Sequence, residues 1–268
     1  MDISRIVNQI KKNGYSIVED IIEERIIKKV TNEIDKLLNT VEFSVGDFYG
    51  YKTKRAGGLF KKAPSTIDLA LNPLCLKLAA KFLECDPPNV RLSFSQAIEI
   101  HPGEVAQEPH IDQSMWPLNH QEIVAQVGFI WPLTEFTRRN GATRLWPRSH
   151  LHADPGRVDV EMTDFAEMLP GSVLCFLGST VHSGGANLSM NPRSCVMIAY
   201  CRGWLKPFEN QWLTYPPEIA RQFTEPLASL IGYKIQHPNL GNVDGRCPSF
   251  LLRDTYVDQS HFEDTIAD

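Results

Sequence analysis

The sequence predicts a mainly β fold with added helices. Three observations support this prediction: helical periodicity in the first part of the chain, four short strand-like runs in the middle, and another helical stretch near the end. The strand-like runs are rich in Val, Ile, Phe and Tyr and are bounded by Gly, Pro, Asn or Ser, as strands between turns are. They cover residues 91–100, 123–133, 172–177 and 194–201.

Two helices are predicted ahead of the strands. In residues 21–38 apolar residues recur at the spacing of one helix face, with charged residues between them. A similar pattern covers residues 67–83, and the prolines at 87 and 88 end that helix because proline cannot continue it. Between the two helices, residues 45–64 lack periodicity and predict a long loop, which is either a binding loop or a plain surface excursion.

The C-terminal part is predicted to contain a helix at residues 217–231 and an irregular loop at residues 237–250. No internal repeat or low-complexity linker marks a boundary, so we predict one domain over residues 1–268. The domain is divided into an N-terminal helical part (about 1–88), a β core (about 89–205) and a C-terminal helix and loop (about 206–268).

Composition and charge favour a small-molecule partner. The 27 Lys and Arg residues against 32 Asp and Glu residues leave a net charge of −5, without the basic clusters that nucleic acids or anionic membranes require. No signal peptide or bilayer-spanning apolar run is recognisable, so the predicted location is cytoplasmic. Six cysteines without CxxC spacing predict reduced thiols.

Three polar residues form a candidate metal site. If the chain around residue 111 is extended, His110 and Asp112 point to the same side, because side chains alternate along a strand. His182 follows a strand-like run and a tight bend, and it is the candidate third ligand. Two His and one carboxylate form the facial triad of non-haem iron(II) oxygenases, which leaves coordination positions open for a keto acid and dioxygen.

Arg193 is the candidate partner for the distal carboxylate of such a keto acid. A planar guanidinium holds a carboxylate through two parallel hydrogen bonds. Arg193 opens the last strand-like run shortly after His182, so the intervening turn can return it to the neighbourhood of the metal.

The order of these motifs resembles one family. The motifs are HxD at His110 and Asp112, NGAT at 140–143, WPRSH at 146–150, PGSVLCF at 170–176, and His182 followed by Arg193. Over about residues 90–204 they resemble the phytanoyl-CoA dioxygenase-like (PhyH) family of iron(II)/2-oxoglutarate-dependent dioxygenases. The resemblance implies a double-stranded β-helix core, a cupin-like jelly-roll whose open end holds the metal. It also implies iron(II), 2-oxoglutarate as cosubstrate and dioxygen.

Three further features are most similar to fungal members that modify meroterpenoids and alkaloids. They are Gln107, Thr143 and the sequence HPNLGNVDG at 237–245. In that subgroup the positions of Gln107 and Thr143 help to hold 2-oxoglutarate, and the C-terminal loop lies near the active-site mouth in a homodimer, so we expect the same here. Without the resemblance, Gln107 equally suits a strand end and Thr143 an Asn-Gly turn. Arg148 departs from the family, which usually has Gly there.

Met115, Trp116 and Trp204 lie next to the metal motifs in the sequence and are candidate substrate-pocket residues. Packing in the core is the alternative for the two tryptophans. No acid or base is expected apart from the metal centre.

The expected function is oxidation of an unactivated C–H bond of a bulky, mostly apolar natural product in secondary-metabolite biosynthesis. Hydroxylation is the default outcome, and desaturation, rearrangement and endoperoxidation remain open. An acyl-CoA or amino acid is the alternative substrate within the same family. Two alternatives lie outside the oxygenases: a zinc hydrolase, since zinc also takes two His and a carboxylate, and an inactive jelly-roll that only binds its ligand.

Overall fold

Two antiparallel sheets organise the fold. The structure, a computed structural model, describes residues 2–85, 89–152 and 162–253. The strands are β1 (Tyr15–Val18), β2 (Thr53–Gly57), β3 (Val90–Ile100), β4 (Gln126–Pro132), β5 (Arg144–Leu145), β6 (Asp164–Phe165), β7 (Val173–Leu177), β8 (His182–Ser183) and β9 (Arg193–Arg202). The larger sheet has the order β1-β7-β4-β9-β3-β2 and the smaller one β6-β5-β8.

The larger sheet is buried on both faces, which is why its central strands are almost continuously apolar. On β4 and β9, alternate residues such as Phe129 and Ile198 pack against the helices. The residues between them, such as Ile130 and Met197, pack with Leu145 of β5 in a second cluster between the two sheets. The prediction of a mainly β fold with added helices is confirmed.

The helices cover one face of the larger sheet. They are α1 (Ile3–Asn13), α2 (Glu24–Leu38), α3 (Leu59–Lys62), α4 (Thr66–Ala70), α5 (Pro73–Leu83), α6 (Gln211–Thr214), α7 (Pro217–Ala220) and α8 (Glu225–Leu230). Short 3₁₀ helices cover Asp112–Met115, Ser149–Leu151 and Pro248–Leu252. None of the described helices has the length and apolar character that crossing a bilayer requires.

Two predicted helices are each interrupted. The stretch 67–83 belongs to α4 and α5, because the Asn72 side chain caps a new helix at Leu74 and Cys75 and Pro73 starts it without an amide proton. The stretch 217–231 likewise contains α7 and α8, with Pro226 in the first turn of α8. The prolines at 87 and 88 lie outside the described residues.

The N-terminal part also contributes structure that the sequence pattern did not predict. Helix α1 is capped by the Asp2 side chain and ends at Gly14, which has the left-handed backbone conformation that favours glycine. Strand β1 pairs with β7, and β2, inside the predicted loop 45–64, pairs with β3. This pairing makes β2 an edge strand of the larger sheet.

Candidate active site

A backbone bridge brings the two candidate histidine ligands together. The amide of His110 donates to the carbonyl of His182, and the amide of His182 donates to the carbonyl of His110, both at 3.0 Å. The two imidazole centroids are 4.5 Å apart. The small sheet is therefore extended by one residue from a distant segment, and the bridge presents both rings on one side.

Asp112 completes the group as the first residue of a 3₁₀ helix. Its Oδ1 lies 3.7 Å from His110 Nε2 and 3.6 Å from His182 Nε2. The three potential ligand atoms lie within 4.8 Å of one another. Bonds of roughly 2.1 Å to one ion require ligand atoms about 3–4 Å apart, so this donor set suits a divalent metal.

Hydrogen bonds orient each candidate ligand. His110 Nδ1 bonds the carbonyl of Glu108 at 2.9 Å, and His182 Nδ1 bonds the carbonyl of Thr180 at 3.1 Å. A ring that donates from Nδ1 keeps the lone pair of Nε2 for a metal. Gln126 Nε2 donates to Asp112 Oδ2 at 3.1 Å, which leaves Oδ1 facing the imidazoles.

Burial keeps His110 in the neutral form that a metal needs. Burial, and then the neighbouring His182, lower the pKa of His110 from 6.5 to about 4, against an opposing contribution from Asp112. Near neutral pH the ring therefore carries no competing proton on Nε2.

The motif WPRSH supports the strand of His182. Trp146 N donates to the carbonyl of Val181, and Val181 N donates to Ser149 Oγ at 2.9 Å. Arg148 has φ of 68°, in the left-handed region. This conformation favours Gly, so Arg148, the expected departure from the family pattern, occupies a position where a side chain is strained.

Arg193, the first residue of β9, is a buried cation on the same cavity. Its Nε and Nη2 donate to the carbonyl of Gly141 at 3.1 and 2.6 Å, and its guanidinium lies 4.0 Å from the ring centroid of Phe136. Within the described ranges no carboxylate forms an ion pair with it. Burial lowers the pKa of Arg193, yet arginine remains charged in proteins. A ligand with a carboxylate would supply the ion-pair partner that Arg193 lacks among the described residues.

Arg55 on β2 is a second cation that lines this cavity, and sequence reasoning missed it. Its Nη1 donates to Gln96 Oε1 at 2.9 Å, and burial lowers its pKa. Arg55 and Arg193 line the same cavity, and in addition to burial the charge of Arg55 lowers the pKa of Arg193. The sequence offered no clear signal for it, because residues 53–57 show no apolar alternation and lie inside the predicted loop.

The cavity itself has a volume of about 210 Å³. The three candidate ligands and both arginines line it, together with apolar side chains that include Phe94, Ile130 and Met197. At its mouth lie four partly exposed apolar side chains: Phe48, Tyr49, Met115 and Phe208. The candidate ligands and the two cations thus share the cavity with apolar walls, and the partly exposed side chains at its mouth are apolar.

The other predicted site residues fall into two groups: those that line the cavity and those that do not. Gln107 and Thr143 both line the cavity. Gln107 accepts from Gly184 N at 3.2 Å and donates to the carbonyl of Phe48 at 3.0 Å, so its amide joins the loop before β2 to β8. Met115 also lines the cavity, at its mouth.

The two tryptophans are not brought to this cavity. Trp116 is buried in a neighbouring apolar cluster with Leu205 and donates to the carbonyl of Lys206. Trp204 lies on a separate cleft together with Trp212. Adjacency in the sequence was a poor guide for both, because the chain turns away from the cavity after Met115 and after β9.

A facial triad beside a buried guanidinium defines a class, the non-haem iron(II) oxygenases that use a keto acid. Comparison with known proteins identifies the family within it. The family model of phytanoyl-CoA dioxygenase (PhyH) matches residues 10–195, and the chain belongs to this family.

Similar curated proteins are fungal dioxygenases. Dioxygenase olcK of Penicillium canescens is 29% identical over 268 residues, which cover 94% of this chain and 85% of that protein. Dioxygenase FUM3 of Gibberella moniliformis is 26% identical over 247 residues, which cover 85% of this chain and 81% of that protein.

Solved structures share the fold at lower identity. The α-ketoglutarate-dependent epimerase SnoN from nogalamycin biosynthesis superposes with a TM-score of 0.64 at 20% identity, covering 75% of this chain and 83% of that one. HygX from Streptomyces hygroscopicus, solved with nickel, 2-oxoglutarate and hygromycin B, has a TM-score of 0.62 at 14% identity, covering 76% and 88%.

These findings confirm the predicted family, the jelly-roll fold and the assignment as an oxidoreductase. The predicted cofactors, iron(II) and 2-oxoglutarate, agree with the family and with the His-Asp-His group. The role of each individual residue stays a prediction.

Proposed function

We propose that this dioxygenase oxidises an unactivated C–H bond of a bulky, mostly apolar natural product, with 2-oxoglutarate as cosubstrate. One observation supports it above the others: the His-Asp-His group and the buried Arg193 line the same cavity. A zinc hydrolase would require the His-Asp-His group, but its reaction would not require the buried Arg193.

His110 and His182 bind iron(II) through Nε2, and Asp112 binds it through Oδ1. When bound, the iron with 2-oxoglutarate and dioxygen supplies the oxidising chemistry and leaves succinate and carbon dioxide. The protein's own contribution is to hold three ligand atoms in a fixed geometry and to keep the remaining positions open to the cavity.

Arg193 binds the distal carboxylate of 2-oxoglutarate, since it is a buried cation that contacts a carbonyl, a thiol and an aromatic ring but no carboxylate among the described residues. Gln107 and Thr143 bind the cosubstrate from the adjoining walls. Because the Gln107 amide also contacts the carbonyl of Phe48, cosubstrate binding and the position of that loop are linked.

The substrate class is supported by the mouth of the cavity. Phe48, Tyr49, Met115 and Phe208 are each about half exposed there, an arrangement that suits an apolar ligand larger than the cavity. Related folds have been solved with the natural products nogalamycin RO and hygromycin B bound. Hydroxylation is the default reaction, and an acyl-CoA or amino acid is the alternative substrate.

The proposal includes a homodimer in the cytoplasm. The exposed apolar side chains of Trp204, Trp212 and Leu240 on one cleft support a second copy of the chain as a neighbour. All six cysteines are free thiols, as is typical of a reducing compartment. Light scattering of the purified protein and imaging of a tagged chain test these two statements.

The decisive experiment measures succinate release. Anaerobically purified protein, loaded with iron(II), should convert 2-oxoglutarate to succinate when air is admitted, faster when the right natural product is added. Mass spectrometry should then find a product that has gained one oxygen atom or lost two hydrogen atoms. The Asp112→Ala variant is the control. Equal turnover by that variant, or turnover supported by zinc, would contradict the proposal.

A further inference from the structure

Besides Gln107, a second glutamine, Gln126, contacts the candidate metal site. Gln126, the first residue of β4, is completely buried. Its Nε2 donates to Asp112 Oδ2 at 3.1 Å, and its Oε1 accepts from Ser93 Oγ at 2.9 Å. Because both ends of the amide are engaged, the side chain has one orientation, and that orientation presents a donor to the carboxylate.

Ser93 can reach Gln126 because the sheet is irregular at this point. Along β3 and β9, Leu92 pairs with Tyr200 and Phe94 pairs with Ala199, so Ser93 has no partner in the ladder. Such a β-bulge redirects a side chain and frees backbone groups for other contacts. The bulge therefore allows Ser93, itself fully buried, to reach past β9 to Gln126 of β4 in the same sheet.

The carbonyl and the hydroxyl of Ser93 bind the segment 208–211, which forms one wall of the cavity. Its carbonyl accepts from Glu209 N at 2.9 Å and from Gln211 Nε2 at 3.2 Å, and its hydroxyl accepts from Phe208 N at 3.4 Å. Phe208 packs edge-on against Phe94, with ring centroids 5.4 Å apart, and both rings line the cavity.

We infer that Gln126 is a positioning residue that fixes the ligand geometry of Asp112, and that the bulged Ser93 joins this geometry to the Phe208–Gln211 wall of the substrate cavity. The inference rests on the proposed role of Asp112 as a metal ligand. Without Gln126 the carboxylate is free to rotate, and a metal ion must restrain it on binding.

The first test measures metal affinity with cobalt(II) as probe, whose visible spectrum reports coordination. Gln126→Leu should weaken cobalt(II) binding about 10- to 100-fold, as outer-sphere variants do, and alter the spectrum. Tyr200→Phe is the matched control: it also loses a buried hydrogen bond, to the carbonyl of Ala70, but on the helix-covered face of the same sheet. It should bind cobalt(II) like the wild type. Equal affinities for Gln126→Leu and wild type would overturn the inference.

Double-variant cycles separate positioning from general destabilisation. Ser93→Ala should weaken cobalt(II) binding severalfold, and it remains informative if Gln126→Leu does not fold. Added to Gln126→Leu, it should cause no further loss, because it acts through that residue. In an Asp112→Ala background, Gln126→Leu should leave the residual affinity unchanged. Additive losses in both cycles would contradict a positioning role.

The same measurements distinguish two kinds of failure. If wild-type protein binds cobalt(II) no more tightly than Asp112→Ala, the proposed metal site itself is wrong. If Asp112→Ala loses affinity while Gln126→Leu and Ser93→Ala do not, the metal site stands and the inference about Gln126 is wrong.

Discussion

The two ends of the cavity are built differently. The floor, which we define as His110, Asp112, His182 and Arg193, lies on a strand bridge, the start of a 3₁₀ helix and the start of β9, and each side chain has hydrogen-bond partners in the surrounding backbone or in Gln126. The rim, defined as Phe48, Tyr49, Met115 and Phe208, lies on loops and at the end of that 3₁₀ helix, and it is about half exposed. Rigid placement suits ligands that must meet one ion within a fraction of an ångström, whereas a rim on loops adapts to substrate shape.

The rim is nevertheless anchored. Glu104 is buried, and its Oε2 accepts from Lys52 N at 2.6 Å and from Thr53 Oγ1 at 2.9 Å. These bonds hold the loop that carries Phe48 and Tyr49 without contacting the floor. The loop of Phe48 and Tyr49 therefore has a support of its own, whereas the backbone of Phe208 is linked to the floor through Ser93 and Gln126. Variants that remove only a rim side chain leave these backbone contacts in place and should affect the floor little.

Loss of a floor ligand should have the largest effect. His110→Ala is expected to lower succinate release by about a thousandfold or more while the fold is retained, because the open-faced metal site loses one of three ligands. The control is His101→Ala, since His101 pairs with Glu99 away from the cavity. Comparable activity in the two variants would show that loss of His110 matters no more than loss of a histidine outside the cavity.

Arg193→Ala should raise the KM for 2-oxoglutarate about 10- to 100-fold, the equivalent of about 1.5–3 kcal/mol for hydrogen bonds to a charged group. Cobalt(II) affinity should stay near that of the wild type, because Arg193 is not a metal ligand. The KM of Arg193→Lys for 2-oxoglutarate should lie between those of the wild type and Arg193→Ala, because lysine keeps the charge but lacks the planar guanidinium. An unchanged KM in the alanine variant would show that another cation, such as Arg55, holds the distal carboxylate.

At the rim, Phe208→Ala should weaken substrate binding about tenfold, since a partly exposed aromatic side chain loses part of its apolar contact area with the ligand. Succinate release without substrate should be unaltered. The KM for substrate and the substrate-free rate are the two readouts. A large drop in the substrate-free rate would mean that the Phe208 side chain also supports the floor.

Glu104→Gln tests the anchor of the rim. Removing the charge weakens the two bonds that Glu104 Oε2 accepts from residues 52 and 53, so amide hydrogen exchange of residues 45–52 should accelerate severalfold. Exchange around His182 should be unaffected. Faster exchange in both regions would indicate one cooperative unit instead of two.

The smallest effect is expected for Arg148→Gly. Glycine relieves the strain of the left-handed backbone at this exposed position, but its greater flexibility stabilises the unfolded chain and offsets part of the gain. The variant should therefore be more stable by about 0.5–1 kcal/mol. Chemical denaturation measures this difference, and Arg148→Ala, which keeps the strain, is the control. Equal stability of the two variants would rule out backbone strain as the reason.

The sequence by itself determined the class of fold and the candidate ligands. Alternating side chains placed His110 and Asp112 on one side of an extended segment, a local property that needs no knowledge of the rest of the fold. The nearly continuous apolar residues of β4 and β9 likewise predicted buried strands.

The tertiary structure alone decided which distant residues meet. The backbone bridge between His110 and His182, the placement of Arg55 and Arg193 on one cavity and the contact of Gln126 with Asp112 join separate segments of the chain. The same applies to Trp116 and Trp204, which follow site residues in the sequence yet pack elsewhere. Local periodicity specifies which face of an element is apolar, but strand order and register determine what that face contacts.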